Sequence, residues 1–168
     1  MSLDSAIQDF ETKSLKTKFN SYAMNFLLGA GSCEYAPGSF KSASPLGEQH
    51  VSYDSSYNVT SLIEEPIFGQ RMDLTSHASQ PVILETVLSV DPRPLYRRLK
   101  NSINRVSNTL YVYEGTSAAA TGPNMKFRAE FYLSANGSLE KLVSGMMMKA
   151  GNGVVKKDIW MNKLEVVF

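Results

Sequence analysis

The sequence predicts an α+β domain in which an N-terminal hairpin and antiparallel sheet are followed by two C-terminal helical segments packed on one sheet face. Three observations lead there. Apolar and polar residues alternate over 51–62 and 125–133, a Gly-rich break at 29–32 separates two aromatic and aliphatic runs, and an apolar stripe at helical spacing begins at Ser138. The 168 residues and 43% apolar content suit one domain, 1–168, with a real core.

Residues 1–18 are expected as an N-terminal arm or short helix, because Leu3, Ile7 and Phe10 share a face at spacings of four and three. That face packs on its own sheet or reaches a neighbouring subunit. The hairpin occupies 19–36, with strand signals at 19–28, a turn at Gly29-Ala30-Gly31-Ser32 and a return at 33–36. A loop over 37–49 leads to a sheet spanning 51–133. Val51, Tyr53, Tyr57, Val59 and Ser61 fall on odd positions there, as in a sheet with one wet face. Residues 72–76 and 82–90 read as further strands, the second more buried. Asp91-Pro92-Arg93-Pro94 reads as a turn, and Leu95, Leu99, Ile103 and Val106 predict a helix in a basic insertion over 92–108. Strands at 109–114 and 125–133 are joined by an exposed loop, 115–124.

The last segment, 138–168, carries both terminal helices. Leu139, Leu142, Val143, Met146 and Met147 form the stripe of the first, with Ser138 as N-cap and Gly151 as stop. After Asn152-Gly153, the second carries Val154, Val155, Ile159, Trp160 and Leu164. The Met146-Met147-Met148 run reads as core. Trp160 and Val166-Val167-Phe168 require a partner surface, so these helices predict a dimer.

Little in the chain suggests chemistry. The single Cys33 excludes an internal disulfide and a cysteine zinc site. His50 and His77 lack a ligand-like spacing, and pairing either with Cys33 has no local support. Gly29-Ala30-Gly31 lacks the third glycine of a dinucleotide fingerprint and the lysine of a phosphate loop. Glu64-Glu65 reads as a solvated turn, since adjacent strand residues point to opposite faces. Asn58-Val59-Thr60 and Asn136-Gly137-Ser138 are glycosylation sequons without meaning in a chain read as unexported. No apolar run is long enough to span a bilayer, and acidic residues stand where a signal peptide is basic. The expectation is therefore a soluble, non-enzymatic protein without cofactor, metal or membrane partner.

Charge is nearly balanced overall, with 17 basic and 16 acidic residues, but it is uneven along the chain. Arg93, Arg97, Arg98, Lys100 and Arg105 lie in a span with no acidic residue, interleaved with Tyr96, Tyr111 and Tyr113. In the strand at 125–133, Phe127, Ala129, Phe131 and Leu133 face one way, and Lys126, Arg128 and Glu130 face the other. Setting Leu110 and Val112 on the apolar side leaves Thr109, Tyr111 and Tyr113 on the basic side. One sheet face is then apolar, and the other is polar, aromatic and basic.

MKFRAEFYLSANGSLEKLVSGMMMKAGNGVVKKDIWMNKLEVVF, read as strand, turn and two helices, resembles the coat proteins of single-stranded RNA bacteriophages. FLLGAGSCEYAPGSF is similar to that family's opening hairpin, including Ala36, Pro37 and Phe40. The resemblance implies a homodimer that crosses its helices over its partner and assembles into an icosahedral shell packaging single-stranded RNA. It also implies an RNA hairpin site on the inner sheet face at Thr109, Tyr111, Tyr113, Asn124, Lys126 and Arg128, and residence in the virion, with assembly in the host cytoplasm. The chain departs from the family in its N-terminal arm and its longer 64–108 region. The alternatives are a phage tail-tube or other virion subunit and, third, an enzyme using Cys33 with His50 or His77.

Overall fold

The computed structural model describes every residue except Met1, Ala120, Thr121, Asn152 and Val154. Part of the predicted 115–124 loop, of the break at Asn152 and of the second terminal segment at Val154 thus lies outside the described residues. One antiparallel sheet dominates. Its strands are β1 (Leu15–Ala23), β2 (Phe26–Ala36), β3 (Ser39–Ser44), β4 (Gly47–Tyr53), β5 (Val59–Pro66), β6 (Met72–Asp73), β7 (Asn104–Arg105), β8 (Leu110–Thr116), β9 (Met125–Leu133), β10 (Leu139–Met148) and β11 (Ile159–Val167). Their order is β6-β5-β4-β3-β2-β1-β11-β10-β9-β8-β7. Two meanders meet where β1 pairs with β11, Phe19 opposite Val166, and each outer edge is a strand of two residues. Such short edges leave little backbone to template pairing with another chain.

Three helices form a layer on one face: α1 (Leu3–Glu11), α2 (Pro81–Thr86) and α3 (Pro92–Leu99). The Ser2 side chain accepts a hydrogen bond from the Ser5 amide and caps α1. Leu3, Ala6, Ile7 and Phe10 of α1 are buried, and the Phe10 ring meets Tyr35 and Phe168 at centroid distances of 5.2 and 4.9 Å. The N-terminal helix therefore settles on its own sheet, and Phe168 finds its cover within the chain. Residues directly opposite in a ladder share a face. The register thus sets Phe19, Leu142, Phe131 and Tyr111 in one row toward the helices.

The helix layer is fixed by a buried ion pair. Asp91 caps α3 through the Arg93 amide, and both side chains are wholly excluded from solvent. The Arg93 guanidinium donates to both Asp91 oxygens at 3.0 Å, to the Ala36 carbonyl at 2.6 Å and to the Ser39 carbonyl at 2.8 Å. It lies 5.5–5.7 Å from the ring centroids of Tyr35, Tyr53 and Tyr57. Tyr53 donates to Asp91, and Tyr35 donates to the Val90 carbonyl. Burial opposes the Arg93 charge, but adjacent Asp91 outweighs it and raises the guanidinium pKa. Asp91-Pro92-Arg93-Pro94 is therefore the cap and first turn of a helix rather than a reverse turn, with Pro92 in the position where a missing amide costs nothing.

The predicted α+β arrangement with two C-terminal helices is overturned, because 139–148 and 159–167 are strands. Strand β10 lies in the middle of the sheet and is buried on both sides. Leu142 faces the helices, whereas Val143 and Met147 are covered on the other face. Bulges between Leu139 and Lys141 and between Met146 and Met147 shift the period of two. Apolar neighbours at 142–143 and 146–147 thereby imitate a helical stripe. The predicted dimer through crossed terminal helices loses its structural basis.

Smaller corrections share this cause. Residues 29–32 belong to β2, and the hairpin turns at Met24-Asn25. A side chain at Gly31 would collide with the Phe19 ring and the Ala43 carbonyl, so that glycine serves close packing rather than a turn. The expected loop at 37–49 contains β3 and the start of β4, the expected strand at 82–90 contains most of α2, and 95–106 is helical only to Ser102 before β7.

Replacing Arg93 with Met should destabilise the protein by about 3–5 kcal/mol, because it strands a buried carboxylate. Lysine should rescue only part of this, since one ammonium cannot reproduce the planar fork. Urea unfolding of the two variants measures both effects, and a loss below about 1 kcal/mol in the Met variant would contradict the assignment.

Candidate functional site

The helix layer does not fill the whole face of the sheet. Between α2 and strands β1, β3, β4, β5 and β11 lies a cavity of about 420 Å³. Phe19, Val87, Val90 and Leu164 give it apolar walls, and Met72 stands near the sheet edge. Its floor is polar. Ser42, Gln49 and Glu64 are cross-strand neighbours on the helix-facing side, continuing from Cys33. Ser42 Oγ donates to Gln49 Oε1 at 3.3 Å, and Gln49 Nε2 donates to Glu64 Oε1 at 2.9 Å. Three polar side chains in this row are conspicuous, because the adjacent row Tyr35, Phe40, Val51 and Leu62 is core.

The cavity roof is held from two sides. Glu85 of α2 accepts hydrogen bonds from the Ser117 hydroxyl and the Ala118 amide, both at 2.8 Å, and from the Ala119 amide at 3.2 Å. Ser144 Oγ of β10 donates to the Ser89 carbonyl just beyond α2 at 2.7 Å.

The six residues expected to contact RNA do not share a face. Tyr111 and Tyr113 stand opposite Phe131 and Ala129 and pack against the core beneath the helices. Lys126 and Arg128 point to the other side, opposite Thr116 and Glu114. Leu110 and Val112 belong to the basic side, so the inferred alternation of this strand was inverted. Thr109 precedes β8 and accepts the Leu133 amide through its carbonyl, while the Asn124 carbonyl accepts the Lys149 amide.

Arg128 is engaged by Glu130 at 2.8 Å and Glu114 at 3.0 Å, and Lys149 bridges Glu114 and Asp158 at 2.8 and 2.7 Å. Burial would raise the Glu114 carboxyl, but hydrogen bonds from Lys149 and Arg128 outweigh it and hold the pKa below its ordinary value. The hydrogen bond from Lys149 lowers Asp158 as well. Of the basic run, Arg93 is core, Arg97 pairs with Glu11 at 3.1 Å, and Arg105 donates to Asn108 at 2.6 Å.

The nucleophile candidates also separate. Cys33 is buried on the helix side, whereas His50 on the opposite face bridges Glu48 and Glu65 at 3.1 and 3.8 Å. His77 lies in an exposed 3₁₀ turn, Thr75–His77. Glu48, His50 and Glu65 have ligand atoms within 4.8 Å of one another, yet Lys41 and Arg71 already pair with those carboxylates. Glu64 and Glu65 do point to opposite faces, but from a strand, and Glu64 enters the cavity. Ser42 and Gln49 fall in the stretch expected as a loop, so the sequence carried no signal for this site.

No family model matches the chain, and no curated protein matches its sequence.

Burial pushes the Cys33 thiol up to about 12, so at neutral pH it is protonated as well as inaccessible. A maleimide probe should label the folded protein at least about a hundredfold more slowly than the urea-unfolded chain. Comparable rates would place Cys33 at the surface.

Proposed function

We propose that the chain is a binding protein for an amphiphilic small molecule held between the sheet and α2. The observation that carries this reading is the row Ser42, Gln49 and Glu64, polar side chains turned into an apolar cavity where the fold elsewhere places core. Cavities of several hundred Å³ with apolar walls and a few convergent polar groups are the usual form of small-molecule sites. The apolar part of the ligand lies against Phe19, Val87, Val90 and Leu164.

The direction of the hydrogen bonds selects the polar part. Ser42 donates to Gln49, Gln49 donates to Glu64, and the chain ends on carboxylate oxygens that accept. A hydroxyl or amine satisfies that end, whereas a carboxylate or phosphate group would face another acceptor. The ligand class is therefore a long-chain alcohol or amine.

The shell-forming reading drew on two terminal helices and on a shared face for Tyr111, Tyr113, Lys126 and Arg128. With 139–148 and 159–167 as strands and those side chains divided between two faces, no observation favours RNA packaging over cavity binding.

Displacement of an environment-sensitive apolar dye provides the test. A long-chain alcohol should displace the dye about tenfold better than the matched fatty acid, and Glu64→Gln should shrink that ratio toward one. Val87→Trp, which fills the cavity, should remove dye binding while the fold persists by circular dichroism. Unchanged dye binding in the Trp variant would place the ligand elsewhere.

A further inference from the structure

We propose that the end of the sheet bearing the β1–β2, β3–β4 and β5–β6 turns docks on the surface of an anionic lipid bilayer. The antiparallel order brings these turns to one end, together with the β10–β11 connection. There Phe26, Leu27, Leu28, Leu46 and Phe68 are between 62% and 93% exposed. The β3–β4 and β5–β6 turns adjoin, since the Ile67 amide donates to the Leu46 carbonyl at 3.0 Å. Exposed apolar side chains gathered at one end of a sheet mark a contact surface.

The β1–β2 hairpin extends past its neighbour. The β2–β3 ladder ends at Ser32 and Ala43, leaving residues 26–31 without a partner on β3. At the tip, Met24 and Asn25 both adopt the left-handed region, with φ of 47° and 70°. A two-residue turn of that shape ordinarily favours Asn and Gly. Methionine there is more than half exposed, so neither backbone preference nor burial accounts for it.

The form of the patch identifies its partner. Phe26 and Leu27, opposite Ala23 and Tyr22, are consecutive on a strand and point to opposite sides, the bulged Leu28 follows them, and all three are exposed. A second protein surface covers one side of such a ribbon, whereas the apolar fringe of a bilayer surrounds both. Charge adds the choice of lipid. Lys156 and Lys157 in the β10–β11 connection are exposed, and neither forms an ion pair among the described residues. Lys163 lies over the Tyr22 ring, 4.8 Å from its centroid, on the neighbouring strand. Nearby carboxylates are occupied, Asp158 by Lys149 and Glu65 by Arg71. Basic residues flanking an inserted apolar group are attracted to anionic headgroups.

The contact is one of turns with the bilayer surface, and no helix among the described residues is long and apolar enough to cross a membrane. It does not depend on occupancy of the cavity, although Leu46 and Pro66 line the cavity at this same end.

Flotation with phosphatidylcholine vesicles, with and without phosphatidylserine, tests the inference, alongside sedimentation without lipid. The protein should float with the serine-containing vesicles and be released by salt. Phe26→Ser combined with Leu28→Ser should abolish flotation without lowering the melting temperature, since both side chains lie outside the core. Lys156→Glu with Lys157→Glu should weaken binding to the anionic vesicles by roughly tenfold or more. Failure to float, flotation indifferent to these changes, or a dimer that the Phe26→Ser and Leu28→Ser variant dissociates would overturn it, the last assigning the patch to a second copy. Dye displacement from the cavity remains a separate readout in every case.

Discussion

Arg93 is the constraint on which the rest of the structure depends. Its guanidinium reaches the carbonyls of Ala36 and Ser39 on either side of the β2–β3 turn, while its partner Asp91 accepts from Tyr53 at the end of β4. Burying the two ions costs several kcal/mol each, and only their mutual contact and a complete set of hydrogen bonds offset that. The pair thus tolerates essentially one placement of α3 on the sheet. Because Val90 also receives the Tyr35 hydroxyl, the connection from α2 is fixed as well. The space beneath α2 follows from that placement, since the helix is held above the Ser42–Gln49–Glu64 row rather than collapsed onto it.

The sequence was most legible where a segment has one wet face. Strand β9 alternates cleanly, and its apolar set Phe127, Ala129, Phe131 and Leu133 is the buried set. The short helix expected within 1–18 corresponds to α1, where Leu3, Ile7 and Phe10 form a narrow stripe. Legibility failed where both faces are covered. Val143 and Met147 are buried against the outer side of β10 while Leu142 is buried beneath the helices, so periodicity carried no strand signature. Two bulges then supplied the spacing of a helix. Likewise, the apolar run at 82–90 fits a buried strand or a buried helix equally well, and Pro81 was the better guide.

The site was hidden for a different reason. Glu64 was read beside Glu65 as a solvated pair, although the alternation that separates them also sends one inward. Ser42 and Gln49 lie in a stretch taken for loop, so their common face was invisible until β3 and β4 were known. Tyr111 and Tyr113 show the reverse error, in which aromatic rings with a polar tip were assigned to the wet face. Their bodies pack on the core. Arg93 was counted with the basic run, because nothing in its spacing distinguishes a buried arginine from its exposed neighbours Arg97 and Arg98.

The central claim is that the cavity beneath α2 receives an amphiphile with its hydrogen-bond donor at Glu64. Amide chemical-shift mapping during titration with a long-chain alcohol tests it most directly. Perturbations should cluster at Ser42, Gln49, Glu64, Val87 and Leu164, with β8 and the outer side of β9 unchanged. Perturbations confined to the outer face around Lys126 and Arg128, or none at saturating alcohol, would contradict it.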